Sequence, residues 1–550
     1  MKYRLISLII IIAIVAGSTD IQAQSVLDSD VEAQPPKDTH QPNILLLVAD
    51  DLGYGDLGSY GSNINTPNLD QLADEGLRFS RFYTASICAP SRAMLLSGND
   101  NHVAGMGSQF RNTEYWGYEG HLTDRIATIP QLLKQAGYQT YMTGKWHLGT
   151  GEGQLPPSKG FDRSFVLHQG AANHYNNTGL SQSYSTADYS VDGQPVSWPE
   201  DGYSTQVYTD SMMKYINEYK DSDKPFFAYA AYTSPHWPLQ VENSFWQKYE
   251  GDFDQGYEKL RKQRLASLKE AGMVTDGHEL PPLHDEVRQW EKLNPQEKER
   301  EARKMELYAG MVDNLDHHIG RLIRMLKDIG EYEKTVIVFM SDNGAAGEDF
   351  YNDPRDDFLQ SKYDNSLENM GSPTSFVSYG PPWAEAGSAP FRYFKGYTYE
   401  GGIVAPMIIR APTMKRRGEI YDGFVTLTDL APTFYEIAGI SYPDSLNGSP
   451  IRPLVGTSLT PVLQDKVKTA SSDNSWVMER SGRVLVRKDD WKLVKPPGSE
   501  WGDKTNFELY NLAQDPSEKH NVKDKHPEKF QELFEEWEEY KKENKVREMF

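Results

Sequence analysis

A single cysteine, Cys88, stands in a chain of 550 residues, so no intramolecular disulfide can form. No apolar run reaches the ~20 residues that a bilayer-spanning helix needs; the longest, residues 5–16, is interrupted by Ser7. Positive charge is scarce: 57 Lys and Arg face 79 Asp and Glu, a net charge of −22. A field of that sign repels a nucleic-acid backbone and argues against a nucleic-acid partner. It leaves room for a small anion in a cleft that is locally cationic. Internal repeats and long low-complexity tracts are absent, and 38% hydrophobic residues with 12% aromatics are too many for a disordered chain. What is left is a globular protein, long enough for one large α/β body with a smaller appendage.

Residues 1–23 carry Lys2 and Arg4, then the apolar run, then small residues around Gly17, Ser18 and Ala23. That order predicts a cleaved secretory signal peptide, hence use of the export machinery, a periplasmic or secreted location and no stable membrane anchor. Residues 24–41, with a Pro-Pro pair and few apolar positions, read as a flexible lead-in.

Residues 43–48 form a continuous apolar run ending in Ala49-Asp50-Asp51 and a glycine-rich turn, the pattern of a buried parallel strand with ligands at its carboxyl end. Residues 335–340 repeat it before Ser341-Asp342-Asn343-Gly344, and residues 226–231 before Ser234-Pro235-His236; residues 407–409 read as a further strand. Helical patterns over 68–75, 129–136, 301–326 and 428–438 lie between them. Such alternation predicts an α/β fold with a large, mostly parallel sheet flanked by helices. Ligands gather at the carboxyl edge of such sheets. Residues about 250–310, dense in Lys, Arg and Glu, read as exposed helices inserted into a catalytic body of 42–470. Over 471–550 the texture becomes an antiparallel meander, closed by a helix with Phe530, Leu533, Phe534, Trp537 and Tyr540 on one face.

Asp50, Asp51, Asp342 and Asn343 supply three carboxylates and an amide oxygen, a hard donor set that suits Ca²⁺ or Mg²⁺. Taken alone, acids after a strand serve equally often as helix caps or turn formers. Cys88-Ala-Pro-Ser-Arg92 precedes Ala93-Met-Leu-Leu96, which places Cys88 at a helix start, where backbone N–H groups favour an anion. By composition a lone cysteine is more often a small buried hydrophobe.

With Cys88-x-Pro-Ser-Arg92, Gly144-Lys-Trp-His147-Leu-Gly149, Ser234-Pro-His236, Ser341-Asp-Asn-Gly344, Lys395-Gly-Tyr-Thr-Tyr-Glu400-Gly-Gly402 and Thr428-Asp-Leu-Ala-Pro-Thr433 in this order, the chain resembles the type I sulfatases of the alkaline phosphatase superfamily, and among them the bacterial arylsulfatases. Residues 490–493 and 508–516 resemble that family's C-terminal subdomain. The resemblance implies that a maturation enzyme oxidises Cys88 to formylglycine, whose hydrate is the nucleophile toward a sulfate monoester. It implies one Ca²⁺, with Mg²⁺ the lesser choice, on Asp50, Asp51, Asp342, Asn343 and the modified Cys88. Arg92 would bridge the hydrate and a metal carboxylate, Lys145 and Lys395 would bind sulfate, His147 would deprotonate the second hydroxyl, and His236 would protonate the leaving oxygen. Val404 stands where many members carry arginine, which bears on substrate preference.

Two alternatives accompany this reading: a phosphoester or phosphonate ester hydrolase on the same scaffold, and a non-enzymatic binding protein for sulfated glycans. His317 and His318 lie in a helical pattern and read as structural or exposed; His102, His168 and His174 sit in loops near the motifs, and most such residues are structural. Trp383 and Tyr393 are aromatic candidates for a substrate platform, although aromatics are more often core. The sequons at Asn176 and Asn447 are a frequent chance pattern.

Overall fold

The computed structural model describes residues 41–109, 113–181, 184–350, 361–468, 475–498 and 504–547. The expected signal peptide, the lead-in up to His40 and the boundary near 470 lie outside the described residues. The described residues from Gln41 onward form one compact unit.

Eleven strands build the central sheet. In chain order they are β1 (Asn43–Ala49), β2 (Leu77–Tyr83), β3 (Gln139–Lys145), β4 (Arg163–Leu167), β5 (Tyr189–Val191), β6 (Gln194–Val196), β7 (Phe226–Ala231), β8 (Thr335–Ser341), β9 (Val404–Arg410), β10 (Glu419–Tyr421) and β11 (Val425–Thr426). The spatial order is β10-β2-β9-β8-β1-β7-β3-β4-β5-β6, with β11 also beside β2. The central five, β8, β1, β7, β3 and β4, run parallel. In β1, β7 and β8 near-continuous apolar sequences reflect burial on both faces, and every residue of these three strands is buried. The strand expected at 407–409 is β9, which runs antiparallel to both β8 and β2.

The helices that matter here are α1 (Pro67–Glu75), α2 (Cys88–Ser97), α3 (Ile129–Gln135), α4 (Ser204–Glu218), α5 (Tyr257–Glu270), α6 (Pro295–Asp328), α7 (Gly380–Gly387), α8 (Leu430–Ala438) and α9 (Pro527–Glu543). Asn294 caps α6 through a reciprocal box with Glu297, and Pro295 occupies the first turn, where its missing N–H costs nothing. The region expected to be exposed helices is only partly so. α5 buries Arg261 and Arg264, because Arg264 pairs with the fully buried Asp56 at 3.3 Å and Arg261 donates to the Pro281 carbonyl. A charge-rich composition conceals such inward-facing pairs.

Near the C-terminus, β12 (Trp476–Arg480), β13 (Arg483–Lys488), β14 (Trp491–Lys495) and β15 (Glu508–Asn511) form a four-stranded antiparallel sheet. Phe530, Leu533 and Trp537 of α9 pack on Val484, Val486 and Leu493 of this sheet, forming a core separate from the main one.

Candidate active site

Register positions the carboxylates. Ala49 of β1 pairs with Ser341 of β8, so the next residues, Asp50 and Asp342, emerge side by side at the carboxyl edge. Val48 pairs with Ala231 of β7, the strand that leads to His236, and Lys145 is the last residue of β3 on the far side of β7. Gly144 is required there: its φ is +97°, and a Cβ would fall 1.8 Å from the Ala231 carbonyl oxygen. Cys88 opens α2, and Arg92, one turn on, shares its face. All ten residues of α2 are buried, which the run Ala93-Met-Leu-Leu96 accounts for.

The four expected oxygen-donor residues converge. Asp51 Oδ1 accepts from Asn343 Nδ2 at 2.6 Å, and the Asp51 backbone N–H donates to Asp342 Oδ1 at 3.3 Å. Ligand atoms of Asp50, Asp51, Cys88 and His236 lie within 4.8 Å of one another. Asn343 Oδ1 is buried with no hydrogen-bond partner, on the side chain whose Nδ2 bonds Asp51. That orphan oxygen and the all-oxygen set around it fit a hard divalent cation. Asp51 occupies the left-handed region at φ +67°, a backbone strain of about 1–3 kcal/mol that the surrounding packing must offset.

Cations surround these acids. Lys145 Nζ bonds both oxygens of Asp50, at 2.9 and 2.8 Å, and Lys395 Nζ bonds Asp51 Oδ2 at 2.7 Å. Arg92 holds Asp342 Oδ2 through Nε (2.9 Å) and a terminal nitrogen (2.7 Å), and its other terminal nitrogen donates to the Lys145 carbonyl. Burial alone would raise the Asp51 carboxyl, but Lys395, His236 and Lys145 outweigh it and hold it at about 2. Asp342, buried beside Asp50, moves up to about 6 despite Arg92. The Cys88 thiol, 3.9 Å from Asp51 Oδ1, is pushed to about 12 by burial, with Lys145 and Lys395 only partly opposing. The unmodified thiol is therefore protonated at neutral pH and a poor nucleophile.

Two histidines complete the group. His236 Nε2 is 3.4 Å from Asp51 Oδ2, and Nδ1 donates to the Trp237 carbonyl at 2.6 Å, which fixes the ring. Burial and the charges of Lys395 and Lys145 lower its pKa to about 3. His147, at φ +57°, is lowered well below the ordinary value by burial and by Lys145, Arg92 and Lys395. Both rings are thus neutral bases at neutral pH.

All ten residues expected from the sequence thus fall in one centre. Of the other histidines, His102 is buried against Glu479, His317 and His318 ride on α6, and His168 bonds Ser190 through its ring while its carbonyl accepts the His147 N–H at 3.2 Å. His174 is buried behind His236, donating to its carbonyl at 3.0 Å. Trp383 is core at 0% exposure. Three neighbours escaped the sequence reading. Trp237 packs its ring 4.3 Å from that of His236, and Glu348 lies 3.9 Å from Lys395 Nζ. Arg480, buried at the end of β12, interacts electrostatically with Cys88 and Glu348. Trp237 was within reach, being adjacent to Ser234-Pro-His236; Arg480, nearly 400 residues from Cys88, carried no local signal.

A mostly parallel sheet whose acid-bearing edge faces a helix-borne Cys-x-Pro-Ser-Arg defines a type I sulfatase of the alkaline phosphatase superfamily. The sulfatase family model matches residues 42–440, and the model for the C-terminal region of N-sulphoglucosamine sulphohydrolase matches residues 390–547. An uncharacterized sulfatase of Schizosaccharomyces pombe is 38% identical, covering 92% of this chain and 95% of its own. An arylsulfatase of Klebsiella aerogenes is also 38% identical, covering 79% and 94%. The crystal structure of Ps i-CgsB, 26% identical, superposes with a TM-score of 0.66 over 93% of this chain and 95% of that one. The chain belongs to the sulfatase family and is a sulfuric ester hydrolase.

Proposed function

We propose that the protein is an exported arylsulfatase-like enzyme, acting on aryl sulfates and on sulfated carbohydrates, in which Cys88 matures to formylglycine and Asp50, Asp51, Asp342 and Asn343 hold Ca²⁺. The observation that carries this reading is the position of Cys88: first residue of a buried helix, 3.9 Å from Asp51 and ringed by Arg92, Lys145 and Lys395. As formylglycine, position 88 would supply a hydrate hydroxyl as the nucleophile toward sulfur, and a bound cation would supply Lewis acidity toward a sulfonyl oxygen. Likeness to the Klebsiella aerogenes arylsulfatase supports the aryl class.

The remaining steps belong to the chain's own side chains. Lys145 and Lys395 neutralise the sulfonyl oxygens, and Arg92 holds Asp342 while presenting charge to the nucleophile's side. His147 takes the proton of the second hydroxyl. His236 would protonate the leaving oxygen from Nε2, the ring nitrogen that the Trp237 carbonyl does not engage, once a docked sulfate anion opposes the lysine charges that lower its pKa. The test is the mass of the tryptic peptide Phe82 to Arg92 from protein purified out of its native host. The thiol-to-aldehyde loss supports the reading, and an unmodified cysteine in active protein overturns it.

A further inference from the structure

We propose that Arg483, the first residue of β13 in the C-terminal sheet, is a positioning residue for Lys395. It holds the carbonyl of the next residue, Gly396, and so sets where the lysine ammonium meets the sulfate of the substrate. The inference rests on the assignment of Lys395 to the sulfonyl oxygens, and it deepens that reading by naming what aims the lysine.

The backbone at Lys395 is tied down at three points. The Lys395 N–H donates at 2.9 Å to the carbonyl of Ala345, just after the Ser341-Asp-Asn-Gly344 motif, and the Gly396 N–H donates at 2.6 Å to that of Ser86, just before Cys88. The third point comes from the C-terminal sheet: the Gly396 carbonyl accepts from Arg483 Nη1. The guanidinium carbon of Arg483 also sits 5.0 Å from the centre of the Tyr397 ring. Gly396 lies at φ +88°, and a Cβ on it would fall 2.9 Å from the same Arg483 nitrogen, so this close approach needs a glycine.

The hairpin that delivers Arg483 is tight. β12 and β13 join through Ser481 and Gly482, both at positive φ, the backbone that a two-residue hairpin turn favours. Arg480 pairs with Arg483 across that turn and interacts electrostatically with Cys88, which sets the hairpin tip beside the centre. The same sheet grips the segment again further on. Lys492 of β14 pairs with Glu400 at 2.7 Å and with Glu518 at 2.8 Å, and Glu518 accepts the Glu400 N–H at 2.6 Å, all three side chains being buried. That grip keeps the segment on the sheet, whereas Arg483 acts on the residue next to Lys395. Lys395 Nζ reaches Asp51 Oδ2 at 2.7 Å on a stem of four carbons that is flexible by nature, so its backbone anchors decide where the charge rests. Arg483 therefore acts on sulfate through the lysine.

The experiment is a double-mutant cycle on aldehyde-bearing protein, with kcat/KM for 4-nitrophenyl sulfate corrected for the aldehyde content at position 88. Arg483→Met keeps an unbranched stem but loses the donor. It should lower kcat/KM about tenfold, the scale on which a displaced binding group is costly. Arg483→Lys, which keeps a charged donor, should lose less. In a Lys395→Ala background Arg483→Met should cost less than about twofold, because the group it aims is gone. Equal losses in the two backgrounds would make Arg483 a support of the fold at large and overturn the inference; so would full activity of Arg483→Met. Should Arg483→Met not fold, Arg483→Gln enters the cycle with the same criteria. Lys395→Ala alone separates the two readings. If it leaves kcat/KM unchanged, the assignment of Lys395 to sulfate falls; if it is costly while Arg483→Met is not, only the positioning role falls.

Discussion

His102, from the short helix Asn101–Ala104 that follows α2, and Glu479, from β12, meet through Nε2 and Oε2 at 2.9 Å with neither side chain more than 1% exposed. The other ring nitrogen lies 3.1 Å from Tyr540 Oη of α9 and 3.3 Å from Asp100 Oδ1, and Tyr540 donates to Asp100 Oδ2 at 2.6 Å. One imidazole thus ties this short helix to both the C-terminal sheet and the terminal helix. Burial opposes its charge, but bonds to Asp100 and Glu479 prevail and raise its pKa from 6.5 to about 9.

That shift predicts a pH dependence of stability. A folded-state pKa above the unfolded value gives stabilisation that is complete below about 6.5 and lost as pH rises through about 9. The loss is on the order of 3 kcal/mol. Urea unfolding of the wild type between pH 6 and 10 should show a falling midpoint, and His102→Gln should be less stable at pH 6 and nearly flat across this range. A wild-type midpoint independent of pH would contradict a charged, buried His102.

Cys88→Ser keeps the shape of the site but cannot form an aldehyde. Its expected behaviour with 4-nitrophenyl sulfate is at most one equivalent of phenol per chain, with no steady state. Because Cys88 is the single cysteine, the matured enzyme would carry no thiol, and thiol-alkylating reagents should leave its activity unchanged. Sustained multiple turnover by Cys88→Ser sinks the role assigned to position 88.

Much of this centre was legible in the sequence because strand-end acids and short motifs are local signals. Asp50 and Asp342 follow apolar runs whose register makes them neighbours. The direction of β9 was not legible, since a short apolar strand looks the same either way round. Nor were the inward Arg261 and Arg264 of α5, whose partners Glu385 and Asp56 are distant in sequence and whose helix reads as solvated. Glu348 and Arg480 belong to the same class: what defines them is a tertiary neighbour, and no periodicity encodes that.

Asn343 offers the sharpest test of the cation. Its Oδ1 is buried without a partner, whereas its Nδ2 is bonded to Asp51 and Gly344. Chelation should abolish turnover and added Ca²⁺ restore it. At 100 times its dissociation constant the cation should stabilise the fold by about 2.7 kcal/mol. Asn343→Ala should lose most of that calcium-induced shift in Tm. An undiminished shift would place the cation elsewhere.

Gly170 faces the His147 ring, and a Cβ there would lie 2.7 Å from Cε1 and 3.0 Å from Nε2. The ring must yield, because contacts that close are not tolerated. Gly170→Ala should therefore lower kcat about tenfold or more, since small displacements of a catalytic group are costly, while thermal stability changes little. An unaltered kcat would mean that the position of His147 is not critical.

His236 is assigned to the leaving oxygen, and its loss should depend on how much that oxygen needs a proton. General acid catalysis contributes about 10²–10⁴-fold where the leaving group is poor. Phenyl sulfate releases a phenol of pKa ~10, like that of tyrosine, and needs the proton; 4-nitrophenyl sulfate releases a stable phenolate and needs it far less. His236→Gln should thus cost phenyl sulfate at least tenfold more in kcat/KM than it costs the nitrophenyl ester, giving a steeper dependence of rate on phenol acidity. Since His236 also lies 3.4 Å from Asp51, a general disturbance of the centre would slow both esters equally. Equal slowing would remove His236 from the leaving group and leave it as a support for Asp51.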